Sequence, residues 1–137
     1  MLTPSMQLML KLSTLQSKMT KRIDGQLSIH GISYTEFTVM YQLNLVPNKT
    51  MRRISLAESI GLSASGVTRL LAPMEKINLV EKESNKRDAR VSLVKLTDSG
   101  QKLLQDTLIS FEQVSDNLTK PLDTKQVNQL YKLLDKL

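Results

Sequence analysis

Leu8, Leu12, Leu15, Met19, Ile23 and Leu27 lie three or four residues apart and draw one apolar stripe, which predicts a helix over residues 5–28. The pattern breaks at "SIHGIS", around Gly31. Phe37, Met40 and Tyr41 then carry a second helix from about Thr35 to Leu45, ended by "VPNKT". A short helix from Ile54 to Ile60 is closed by Gly61, a residue that readily takes the left-handed conformation at a helix end. Ser63 suits the N-cap of the next helix, in which Val67, Leu70, Leu71 and Met74 face one way. Ser65, Thr68, Arg69 and Lys76 fall on its other sides. Pro73 lies inside this helix, where a missing donor and a crowded carbonyl predict a bend. Asn78 suits a left-handed cap after its last turn.

The period then changes. Leu79–Glu83 and Val91–Leu96 read as two strands about a polar turn, a hairpin. Thr97 caps a further helix bearing Leu104, Leu108, Phe111 and Leu118, and after Pro121 a last helix shows Val127, Leu130, Leu134 and Leu137. The chain of 137 residues suits one domain, 1–137, mainly α with a small β-hairpin. The compact middle cannot bury all the stripes of the helices around it. They either fold back on their own protomer or pack on a second copy, and a two-fold dimer is the commonest solution. The expectation is a homodimer held by residues of about 5–28 and 101–137.

Composition narrows the chemistry. Apolar residues make up 40% of the chain, with three Tyr, two Phe and no Trp, so Leu, Ile, Val and Met must build the core. The absence of Cys removes disulfides, thiol redox sensing and thiolate metal sites. His30 is the single histidine; it reads as a surface or interhelix residue, and no metal or cofactor is expected. Nothing is long and apolar enough to span a membrane. The start, "MLTPSMQLMLKLS", lacks an early basic segment followed by a sustained apolar core, so the expectation is a cytoplasmic protein. No nucleophile motif, phosphate loop or zinc spacing is present, which argues against an enzyme.

Net charge is +6, distributed as +2 over residues 1–46, +4 over 47–100 and 0 over 101–137. The excess therefore sits in the middle, an electrostatic footprint for a polyanion. Two short helices joined by a tight turn make a helix-turn-helix (about 54–77), and the hairpin that follows (about 79–96) makes it a winged helix. The second helix of such a pair enters the major groove and presents outward side chains to base edges. Here those are Ser65, Thr68 and Arg69, with Gly66 permitting close backbone approach and Ser63 and Lys76 at the two ends of the helix. The hairpin tip places Lys86, Arg87 and Arg90 where the flanking phosphates and minor groove would lie. Asp88 either pairs with Arg90 and orients it or caps the turn. Arg52 and Arg53, at the start of the first motif helix, are phosphate candidates. A winged helix used for protein contacts alone is the alternative, but it does not need cations on both reading helix and wing.

The stretch "LAESIGLSASGVTRLLAPMEKINLVEKESNKRDARVSLVKLTDSG" resembles the core of the MarR family of bacterial transcriptional regulators. Leu56-Ala57, Thr68-Arg69-Leu70, Leu79-Val80, Asp88-x-Arg90 and Leu96-Thr97 with Gly100 carry the resemblance over residues 51–100, and the order of the flanking helices agrees. It implies an obligate homodimer with interleaved terminal helices and two winged lobes on a pseudo-palindromic stretch of double-stranded DNA. It implies Thr68 and Arg69 in the major groove, Arg90 in the minor groove, and repression as the family's habit. Asn78 stands where members usually have Gly, and Pro73 is less usual. Many members respond to small aromatic acids, phenols or oxidants through a pocket between the terminal helices and the winged lobe. Without Cys, only a small aromatic or phenolic effector remains in view. The seven Met residues either line such a pocket or fill the core.

Overall fold

The computed structural model describes residues 1–137. Helix α1 (Pro4–Leu27) begins where Thr3 accepts the Met6 amide at 3.2 Å and a proline opens the first turn, a place where a missing donor costs nothing. Only its C-terminal end reaches the core. Ile23 and Leu27 are buried, whereas Met6, Leu8, Met9, Leu10 and Leu15 are exposed. A short turn, Ser28–His30, leads into α2 (Tyr34–Asn44). The start of α2 is fixed twice, by a capping box between Ser33 and Glu36 and by Asp24 of α1, which accepts the Tyr34 amide at 2.7 Å. Phe37, Val39, Met40 and Leu43 make α2 the central helix.

The segment that ends α2 does more than the sequence suggests. It leads into a strand, β1 (Thr50–Arg52), followed directly by α3 (Arg53–Ile60), α4 (Ala64–Lys76), β2 (Val80–Ser84) and β3 (Ser92–Leu96). The wing is therefore a three-stranded antiparallel sheet in the order β1-β3-β2, where a two-stranded hairpin was expected. Met51 pairs with Val94, and β2 and β3 run from Val80↔Leu96 to Ser84↔Ser92.

Two left-handed residues set the angles around the reading helix. Gly61 (φ +71°) closes α3, with the Leu62 amide on the Ala57 carbonyl at 2.9 Å. Asn78 (φ +63°) closes α4 in the same way, with the Leu79 amide on the Met74 carbonyl at 2.9 Å and the Asn78 amide on Glu75 at 3.0 Å. This pair of bonds satisfies carbonyls that the helix end would leave free. Asn thus serves where Gly is usual. Helix α4 runs unbroken through the exposed Pro73 to Lys76. Val67, Leu71 and Met74 are buried and Leu70 packs against the core, as their spacing implies.

Thr97 caps α5 (Asp98–Thr119), and Asp123 caps α6 (Thr124–Leu134) with a capping box through Gln126. Helix α5 crosses the molecule. Leu104 and Val114 are in the core, but Leu108 and Ile109 are exposed. Helix α6 has no buried residue, and Leu130, Tyr131, Leu133 and Leu134 all face outward. The chain exposes 9923 Å², against roughly 7200 Å² for a monomeric globular protein of its mass. No helix is long and apolar enough to cross a membrane.

Candidate nucleic-acid interface

The first turn of α4 is ordered by its own side chains. Ser63 Oγ accepts the Gly66 amide at 3.1 Å and lies 3.2 Å from Ser65 Oγ. Gly66 is half-buried, and a Cβ there would come within 3.1 Å of Ser63 Oγ. Its small size therefore serves the cap as well as any approach by a ligand. One turn on, Thr68 Oγ1 donates to the Ala64 carbonyl at 3.1 Å, which leaves its oxygen lone pairs free to accept. Ser65, Thr68 and Arg69 are exposed, and the Arg69 guanidinium has no partner within the chain. Lys76 is exposed in the last turn, about 16 Å along the axis from Ser65, where a cation also suits the negative end of the helix.

The wing tip, residues 85–91, joins β2 to β3 and is ordered by two side chains. Asn85 Oδ1 accepts the amides of Arg87 at 2.8 Å and Asp88 at 3.3 Å. Asp88 Oδ1 in turn accepts the Arg90 amide at 3.0 Å and its Nε–H at 3.1 Å, and Oδ2 accepts Nη2–H at 3.4 Å. Both alternatives for Asp88 hold at once: it caps the turn and pairs with Arg90. These bonds from Arg90, with the nearby charge of Arg52, keep the Asp88 carboxyl below the usual carboxylate range. Lys86, Arg87 and Arg90 project into solvent, the Arg90 side chain 91% exposed.

Between α4 and the wing lies a cleft of about 330 Å³, lined by Ala64, Val67 and Thr68 of α4, by Arg90, Val91 and Ser92 of the wing, and by Arg52, Arg53 and Ile54. Arg52 comes from β1 and is exposed. Arg53 differs from expectation. Its Nη1 lies 3.4 Å from Glu75 Oε1, and the two side chains are only 16% and 24% exposed. It braces the start of α3 against the end of α4, and the bond takes one of the five guanidinium N–H groups. The structure thus brings Thr68, Arg52 and Arg90 to one cleft, leaves Ser65, Arg69, Lys86 and Arg87 exposed, and ties Arg53 to Glu75.

Two residues were missed by sequence reading. Asn85 has a signal, an Asn three residues before Asp88 in a polar turn. Lys82 reads as one strand cation among others. It pairs opposite Val94, on the face of the sheet that carries Val80 and Leu96, and its side chain is exposed. His30 is an interhelix residue, its Nε2 2.7 Å from Ser110 Oγ of α5.

A sequence model of the MarR family matches residues 32–92. The transcriptional repressor MprA of Escherichia coli (strain K12) is 26% identical over 123 residues, which cover 90% of this chain and 70% of MprA. Among solved structures, Sco3205 of Streptomyces coelicolor, a MarR family transcriptional regulator in complex with DNA, is similar with a TM-score of 0.87. It is 22% identical, covering 98% of this chain and 90% of that one. The S. aureus MepR–DNA complex gives 0.81 at 20% identity, covering all of both chains. Residues 32–92, from the lead into α2 to the start of β3, are thus a MarR-type domain.

The MarR match stops at Ser92, short of Leu96-Thr97 and Gly100, and the structure supplies the physical reason for that second motif. Thr97 Oγ1 lies 2.7 Å from the Asn78 carbonyl oxygen and 3.0 Å from that of Leu79, donates its proton there, and accepts the Gly100 amide at 3.0 Å. A side chain at Gly100 would run into the Leu79 carbonyl. The MarR motif thus ties the end of the reading helix, the base of the wing and the start of α5 at one point.

Proposed function

We propose that this chain is a transcriptional repressor that acts as a homodimer and reads duplex DNA with α4 and the wing. A helix of about 10–12 Å diameter fits the major groove, which is about 12 Å wide. Arg69 makes paired hydrogen bonds to a guanine, and Ser65 and Thr68 contact neighbouring bases or phosphates. Arg90, held by Asp88, reaches the flanking minor groove. Arg52, Lys76, Lys86 and Arg87 meet phosphates. One observation carries this reading: Thr68 of α4 and Arg90 of a preordered cationic tip line the same cleft, with the exposed, unpaired Arg69 next to Thr68 in α4.

The dimer rests on the apolar residues left in solvent by α1, α5 and α6 and on the excess of exposed surface. Pairing two lobes sets half-sites about one helical turn, roughly 10 base pairs, apart. The reading extends to a small aromatic or phenolic effector held between terminal helices and lobe. Tyr34 stacks on Phe37 and Phe111, with ring centroids 6.3 and 5.8 Å apart, and Phe111 follows Ser110, the partner of His30. Release of bound DNA by benzoate- or phenol-class compounds tests that part.

The main test is fluorescence anisotropy with cognate and random duplexes. Arg69→Ala is expected to lose about 1–3 kcal/mol of discrimination between them. Unchanged discrimination would remove Arg69 from the reading face, and no binding of any duplex at low salt would leave only the protein-contact role.

A further inference from the structure

The wing tip poses a problem that the ladder does not solve. Sheet pairing ends at Ser84↔Ser92, so the seven residues that carry Lys86, Arg87 and Arg90 have no strand partner. Within them the one backbone–backbone bond joins the Val91 amide to the Asp88 carbonyl, at 3.1 Å. Three like charges on a loop of this kind repel one another and favour a spread of conformations. Two side chains oppose that spread, and they act in series. Asn85 Oδ1 holds the amides of Arg87 and Asp88, and the Asp88 carboxylate then holds the amide and guanidinium of Arg90. Asn85 and Asp88 are half-buried while the cations between and beyond them are exposed.

We infer that Asn85 is a positioning residue for DNA binding: it fixes the backbone at residues 87–88, and so aims the carboxylate that aims Arg90. This rests on the proposed reading of the wing as a DNA element. The chemistry also accounts for an amide at this position. A carboxylate would accept the same two N–H bonds, but it would bring a second negative charge to the phosphates beside Asp88, and unlike Asp88 it has no guanidinium to neutralise it. A serine accepts with a shorter reach and more weakly. Asn85 touches no base or phosphate in this scheme; its effect on DNA passes entirely through Arg90 and the order of the tip. Ordering the loop before binding removes a cost that a floppy tip would meet at the moment of docking.

The experiment uses the full chain, wild type and three variants, against a duplex enriched by the wild type from a random pool. Asn85→Ala is expected to bind about tenfold more weakly, the effect of losing one or two modest hydrogen bonds. Its melting temperature and the slope of log K against log salt should match wild type, because no phosphate contact is lost. Hydrogen exchange of the amides of residues 86–90 should quicken in the free protein. Asn85→Ser should fall between the two, and Arg90→Ala should flatten the salt slope. Wild-type affinity in Asn85→Ala overturns the inference, as does a salt slope reduced by about 0.9, the mark of a direct phosphate contact. A melting temperature several degrees lower would make Asn85 a residue of the fold instead. Failure of the wild type to enrich any duplex strikes the reading of the wing itself, whereas wild-type-like Asn85→Ala strikes only the positioning role.

Discussion

At the scale of single residues, Asp88 and Gly100 have the clearest physical roles. Asp88 is a lone acid among cations because a guanidinium hydrogen-bonded to its carboxylate stays where it is put. The bonds from Arg90 lower the Asp88 pKa. A depressed carboxylate supports the native tip above its unfolded pKa and loses that support as pH falls through the folded one. The tip should therefore be indifferent to pH between about 5 and 8 and loosen only in acid. Carbon-detected NMR should find the Asp88 midpoint below the usual 3.8, and Arg90→Ala should move it back up; an unmoved midpoint would contradict the pairing. Gly100 is constrained from outside. An added Cβ would meet Leu96 Cδ1 at 2.6 Å as well as the Leu79 carbonyl. Gly100→Ala should cost about 1–3 kcal/mol in urea unfolding. The sequence shows Gly100 only as the end of a family motif. Its close approach to Leu79 is a tertiary fact, whereas Thr97 as an N-cap could be read from residue type alone.

Among elements, the helices were legible and the sheet was not fully so. Apolar spacing placed α1 over 5–28, where Pro4–Leu27 is found, and the motif helices over 54–77, where they span residues 53–76. Local signals suffice there because caps and stripes are local. Strand β1 escaped because three residues cannot show alternation, and its identity comes from pairing with β3, more than forty residues away. The same cause hid the pairing of Arg53 with Glu75, which lies at the far end of the next helix. Arg53→Ala should lower stability by about 1 kcal/mol while leaving the salt slope of DNA binding intact. A slope reduced by about 0.9 would return it to the phosphates. Asn78→Ala, which puts an ordinary side chain at φ +63°, should cost about 1 kcal/mol in the same unfolding assay. An unaffected midpoint would mean that the turn can repack.

For the whole molecule, the surface is the informative quantity. Leu130, Tyr131, Leu133 and Leu134 of α6 project from a helix with nothing buried, and α1 leaves Met6, Leu8, Met9 and Leu10 in the same state. The excess of roughly 2700 Å² over a monomer of this mass, about 5400 Å² for two chains, is at the upper end of what obligate dimers bury in total. Sedimentation at micromolar concentration should give twice the 15.5 kDa of one chain, and a single-chain mass would remove the frame that spaces the two lobes. The burial problem was legible in the stripes, but which residues stay outside was not: Leu108 lies on the sequence stripe of α5 yet is exposed, while Thr107 and Ser110 are buried. Selection from a randomised duplex pool at moderate salt tests the central claim most directly, because it asks for reading and pairing together. The expected result is an enriched inverted repeat with half-site centres about 10 base pairs apart. A pool that stays random, or one that converges on a single unrepeated half-site, would contradict the account.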